Sequence, residues 1–154
     1  MKHILSFLFL FTLAFSLSAQ SGRYQLVKLG KQVSTQYHEA APILSQDGKK
    51  FYFFVHNHPE NNFGKDGSDD IWVSNLDEKG EWGVATHLGN PYNNHHSNQV
   101  FTALADGSLF IKGGRNRESK GFSIVSAGGS MRELEEQGFK EMNKARSYGA
   151  SNSS

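Results

Sequence analysis

Residues 45–54 read SQDGKKFYFF, and residues 103–112 read ALADGSLFIK. In each, an Asp-Gly pair opens onto a dense apolar run, and Asp47-Gly48 stands 59 residues before Asp106-Gly107. Leu29-Gly30 and Leu88-Gly89 are separated by the same 59 residues. Two landmarks with one period predict a chain assembled from a repeated unit. Asp-Gly favours tight hairpins because glycine accepts the positive φ such turns require, so the unit is a β one.

The rest of the chain agrees. Residues 24–29 alternate loosely, residues 50–56 form an aromatic and β-branched run, and strand-length runs follow at 71–76, 99–104, 109–112 and 122–126. Turn signals separate them at Gln46-Asp47-Gly48, Asp66-Gly67, Glu78-Lys79-Gly80, Ala105-Asp106-Gly107 and Gly113-Gly114. Residues 131–145, MRELEEQGFKEMNKA, are the exception. They place Met131, Leu134, Phe139 and Met142 at helical intervals, while Gly138 weakens a helix by about 1 kcal/mol relative to Ala.

A β-rich chain with a period of this size predicts propeller blades, four-stranded sheets that cannot bury their own faces without neighbours. The excess over a blade of about 40 to 45 residues falls in HNHPENNFGKDGSD, residues 56–69, a polar extension. The predicted fold is all-β: an incomplete propeller of two antiparallel four-stranded blades and the start of a third. The first repeat covers residues 20–89, the second 90–138, and a truncated third 139–154. Such a piece cannot close a ring of 4 to 8 blades. It is expected to be a fragment of a longer protein or to self-associate through open blade edges; the rival is a small sandwich with coincidental turns.

The N-terminus supplies the compartment. Met1, Lys2 and His3 precede the apolar run ILSFLFLFTLAFSL, followed by Ser18, Ala19 and Gln20, the order of a secretory signal occupying residues 1–19. That run is short of the roughly 20 apolar residues of a membrane helix, so no integral membrane span is expected. With no cysteine there is no disulfide framework, thiolate metal site, cysteine nucleophile or lipid-anchored lipoprotein. A formal net charge of +1 gives no general pull toward nucleic acid. The basic group Lys112, Arg115, Arg117 and Lys120 reads as a solvated loop, or else as a contact for an anionic glycan or lipid headgroup.

APILSQDGKKFYFF followed by DDIWVSNLDEKGEWGVATHLGNPYN resembles the TolB-like propeller repeat of bacterial exported proteins, some of which carry a peptidoglycan-binding OmpA-like module after the propeller. The positions that carry the resemblance are Ser45, Asp47, Gly48, Asp69, Asp70, Ile71, Trp72, Trp82, Leu88 and Gly89. The second unit keeps Asp106 and Gly107 but has Gly121-Phe122-Ser123-Ile124 in place of the Asp-Asp-Ile-Trp strand, with no tryptophan after it. The resemblance implies a periplasmic or outer-membrane-associated, non-enzymatic interaction domain, with an envelope protein or peptidoglycan-associated partner. The alternative it implies is the propeller portion of a secreted hydrolase whose catalytic module is elsewhere.

No residue announces a reaction or a cofactor. KDGSDD lacks the alternating oxygen ligands and distal Glu of a calcium loop, so Asp47 and Asp70 are expected to accept turn amides instead. His56, His58, His95 and His96 are candidate zinc ligands that nothing in the sequence brings together; otherwise they sit in solvated loops. Ser45-Gln46-Asp47-Gly48 lacks the spacer of a sialidase Asp-box, and no G-x-S-x-G elbow occurs. Trp72, Trp82 and residues 51–54 offer rings that could stack on sugars but more often pack between sheets, each removing 150 to 250 Å² from water.

Overall fold

The computed structural model describes residues 28–119 and 121–134. Its eight strands are β1 (His38–Leu44), β2 (Lys50–His56), β3 (Asp69–Asn75), β4 (Thr86–His87), β5 (Gln99–Ala103), β6 (Leu109–Lys112), β7 (Phe122–Val125) and β8 (Met131–Glu133). They form two four-stranded antiparallel sheets in chain order, β1 to β4 and β5 to β8. The expected signal at 1–19 and the expected third repeat at 139–154 lie outside the described residues.

The helical spacing over 131–145, left open against Gly138, does not make a helix at its start. Met131–Glu133 is a strand paired to β7, Val125 opposite Met131 and Ile124 opposite Arg132. A sheet edge offers these residues main-chain partners, and Met131 packs against the apolar layer between the sheets, which an isolated helical turn at this point does not match. The remainder of that stretch is outside the described residues.

The shared period is spatial as well as textual. In both hairpins the turn glycine has positive φ, 68° at Gly48 and 81° at Gly107, and the aspartate before it accepts the amide two residues on, Lys49 at 3.1 Å and Ser108 at 2.9 Å. After each Leu-Gly pair the glycine carbonyl accepts two amides, Val33 and Ser34 on Gly30, Tyr92 and Asn93 on Gly89. The first strand of each sheet carries a register shift, between Ala40 and Ile43 in β1 and between Val100 and Thr102 in β5. Such bulges turn an edge strand away from pairing with a foreign chain.

One residue breaks the period. Leu44 pairs with Phe51, whereas Ala103 pairs with Leu109, so the step is 59 in the first strands and 58 in the second. The extra residue is absorbed by the β1–β2 turn, where Ser45 N bonds Lys50 O, against Leu104 N to Ser108 O in the other. Because side chains alternate across a strand, this slip decides which face each residue occupies. Phe51 and Phe53 correspond to Leu109 and Ile111, not to Phe110 and Lys112.

The two sheets therefore stack front to back. Tyr52, Ile71 and Val73 on one face of the first sheet meet Val100, Ala103, Leu109, Ile111 and Val125 of the second, the latter occupying positions equivalent to the first sheet's opposite face. That opposite face buries Phe53, Val55 and Trp72 under Val33, with Leu29, Tyr37 and Trp82 at its margin. Leu29 itself is not in a strand. Phe101, Phe110 and Phe122 gather on the second sheet's far face, ring centroids 5.4 to 5.7 Å apart.

The same register locates the next counterpart of Leu88. Leu88 N bonds Ile71 O at 3.1 Å, and Leu134 N bonds Phe122 O at 2.9 Å, the equivalent pair. The second counterpart of Leu88 is Leu134. Likewise Gly121 stands where Asp70 does and Ser123 where Trp72 does.

Candidate functional site

At one end of the sheets the β2–β3 loop, residues 57–68, and the inter-sheet linker, residues 88–98, lie against each other. The residues that join them begin with the paired carboxylates at the start of β3. Successive strand residues point to opposite faces, so Asp69 and Asp70 serve two different networks.

Asp69 faces the partly open side. Its Oδ1 lies 2.6 Å from His56 Nδ1, and its Oδ2 accepts the Ser97 hydroxyl at 2.8 Å. Lys112 Nζ in turn donates to Ser97 Oγ at 3.2 Å. The main chain of Asp69 is also engaged, its amide donating to His96 O and its carbonyl accepting Asn98 N, so the linker runs briefly as a parallel neighbour of β3. In a hydrolase triad the histidine receives the serine proton and the carboxylate backs the histidine. Here the carboxylate stands in the middle, an arrangement that fastens loops.

Asp70 is fully buried. Its Oδ2 accepts Asn62 N at 2.6 Å and lies 2.7 Å from His87 Nε2, while Oδ1 accepts Asn98 Nδ2 at 3.1 Å. Asp70, expected to accept turn amides, takes one backbone amide, from the β2–β3 loop, and two side chains. A buried carboxylate without such partners would carry a large desolvation penalty.

Three asparagines complete the joint. Asn93 Oδ1 accepts Ile71 N at 2.7 Å and its Nδ2 donates to Ile71 O at 3.0 Å, imitating a neighbouring strand. Asn61 accepts Trp72 Nε1 at 3.1 Å and donates to Val55 O at 2.8 Å. Asn62 Nδ2 donates to Asn90 Oδ1 at 2.9 Å and to Asn93 O, crossing from one loop to the other.

The solvated-loop expectation for residues 90–98 is corrected: Asn93 and Asn98 are fully buried. His95 is half-buried, and that burial pulls its pKa below the ordinary histidine value. His58 is lowered for the same reason, its ring lying 4.4 Å from Trp72 and 4.5 Å from Tyr37. His56 binds Asp69 and His96 stacks on Phe63 at 5.5 Å, so the four histidines are dispersed. Among the described residues no group of three or more His, Cys, Asp or Glu is placed to hold a metal ion.

The remaining sequence candidates are placed as follows. Asp47 and Asp106 cap their turns; Ser45 Oγ donates to Asp47 Oδ1 at 2.6 Å. Ile71 lies between the sheets, Leu88 beside it. Trp72 is 6% exposed, while Trp82 is half-buried with its ring 5.5 Å from Phe51. Arg115 pairs with Glu133 at 3.8 Å, Arg117 lies over the Phe63 ring at 4.9 Å, and Lys120 is outside the described residues. His87 was not singled out by any sequence signal, since a lone histidine in THLGN has no spacing to mark it.

Comparison with protein-family models, curated proteins and solved structures finds no match. Among the described residues no helix is long and apolar enough to cross a membrane.

Proposed function

We propose that this chain is an exported, non-enzymatic interaction module of the cell envelope, built of TolB-like propeller blades, whose partner docks on the surface formed by residues 57–68 and 88–98. The observation that carries the reading is the bonding of these two loops to each other and to β3, through Asn62, Asn90, Asp69 and Asp70. A surface held in one arrangement before its partner arrives loses less conformational entropy on binding. Front-to-back stacking supports the blade reading, since blades of a ring stack in one sense. The second sheet's far face, with Phe101, Phe122 and Ile124, is then where a further blade rests, from additional chain or another copy. The leader-like residues 1–19 support export, and periplasmic or outer-membrane association follows from the resemblance.

The partner is an envelope protein that meets Phe63, His96 and Arg117, the aromatic and cationic groups at the rim. The test is capture of solubilised envelope proteins by the purified chain, by a Phe63→Ala/Arg117→Ala double variant, and by Lys79→Ala at the opposite end. Capture lost only in the double variant, with all three melting alike, supports the proposal. Equal capture by all three, or retention on peptidoglycan sacculi alone, overturns it.

A further inference from the structure

At the end of the sheets remote from that surface, the two Asp-Gly turns flank a cleft of about 190 Å³. Its walls include Ser45, Gln46, Asp47 and Lys50 from the first turn and Leu104 and Gly107 from the second. Its floor is Tyr52, which is 6% exposed. Lys50 and Tyr52 are two apart on β2 and so share the face turned toward the second sheet. Gln46 Nε2 spans the gap to Ala103 O at 3.2 Å.

Two features of this cleft could meet a guest. The Tyr52 hydroxyl has no hydrogen-bond partner among the described residues, although buried Tyr hydroxyls usually find one. It is held protonated, because burial, with Tyr92 and Asp47 nearby, raises its pKa. At the cleft's exposed mouth stand two opposite charges, the Asp47 carboxylate, whose Oδ1 already accepts the Ser45 hydroxyl and the Lys49 amide, and the Lys50 ammonium; neither has an ion-pair partner among the described residues. The volume equals about six waters at the roughly 30 Å³ each takes in the liquid.

We propose that this cleft binds a small zwitterion of the amino-acid class, its ammonium toward Asp47, its carboxylate toward Lys50, and one oxygen hydrogen-bonded to the Tyr52 hydroxyl. A simple anion or cation meets only one of the two charges at the mouth, and a purely apolar guest leaves the buried hydroxyl unmatched. A molecule of six or seven heavy atoms fits the space. This site is independent of the loop surface, so either stands if the other fails.

The test is NMR titration of the ¹⁵N-labelled chain with alanine, and separately with acetate and with methylammonium. The expected result is saturable shifts at residues 45–52 and 103–107, with Kd on the order of 1 mM or tighter for alanine and much weaker binding of both half-ligands. Tyr52→Phe keeps the ring in the core and removes one hydrogen bond, weakening alanine roughly fivefold to tenfold. Lys50→Gln weakens alanine and abolishes binding of acetate. Absence of saturation, which leaves the cleft to water, overturns the proposal. So do shifts centred elsewhere, or a Tyr52→Phe chain that folds and binds alanine unchanged.

Discussion

His87 Nε2 lies 2.7 Å from Asp70 Oδ2 inside the joint between the sheets, where the carboxylate has no solvent exposure and the imidazole little. This pair links β3 to β4, and the same carboxylate reaches Asn62 and Asn98 in the two loops. Asp70→Ala would leave the Asn62 amide without its acceptor and take a partner from His87 and from Asn98. Leaving a buried donor without its acceptor costs about 1 to 3 kcal/mol, and a loss of that size is expected in a denaturant titration. A loss below about 1 kcal/mol would mean that the joint does not depend on this carboxylate.

Trp72 is 6% exposed, donates to Asn61 and lies edge-on to His58 and His87. Trp72→Ala is expected to cost about 3 to 5 kcal/mol. Trp82, half-buried at the margin of the same face, should cost about 1 kcal/mol when cut to Ala. Chemical denaturation of the two variants side by side checks the order, and equal losses would refute the assignment of Trp72 to the core.

The extra residue of the first hairpin sits in the turn. Deletion of Lys49 should convert SQDGKK into a five-residue turn like LADGS while Leu44 stays opposite Phe51. The expected cost is within about 1 kcal/mol, since exposed turn tips tolerate such changes. Deletion of Tyr52 instead would carry the remainder of β2 to the wrong face and abolish cooperative unfolding. Near-UV circular dichroism and a thermal melt of the two deletions distinguish these outcomes.

Acid should loosen the protein in two stages. His58 and His95 have pKa values lowered chiefly by burial, so the neutral rings favour the folded state. Their contribution is complete above the unfolded value of 6.5 and is lost as pH falls through the lower folded values. Asp47 is lowered first by the Ser45 hydroxyl and Asp106 first by the Ser108 amide. Their contribution is present above 3.8 and disappears below it, as the folded-state carboxylates take up protons. The melting temperature measured from pH 7 to pH 2 should show both declines, and His95→Gln should flatten the upper one.

Much of the architecture was legible because turns and strands are local. Asp47-Gly48 and Asp106-Gly107 mark their hairpins through glycine's conformational freedom, and the run at 50–56 coincides with β2. Leu134 carries no mark in the sequence as the counterpart of Leu88, because that likeness is a matter of hydrogen bonding to Phe122 and no glycine stands beside it. The joint was illegible for a different reason. Asparagine in NNF or NPYNN is compositionally a loop residue, and only the position of Ile71, 22 residues from Asn93, shows what its amide completes. His87 and Ser97 likewise gain meaning only from carboxylates distant in the chain.

The amide of Asn93 occupying the place of a strand neighbour makes the connector between the sheets part of the first sheet's fabric. The connector is thus unavailable as a hinge. Swinging one sheet away from the other, or exchanging it with a second molecule, requires breaking both bonds between the Asn93 amide and the Ile71 main chain first. The two halves are accordingly expected to open and close together, as one melting unit.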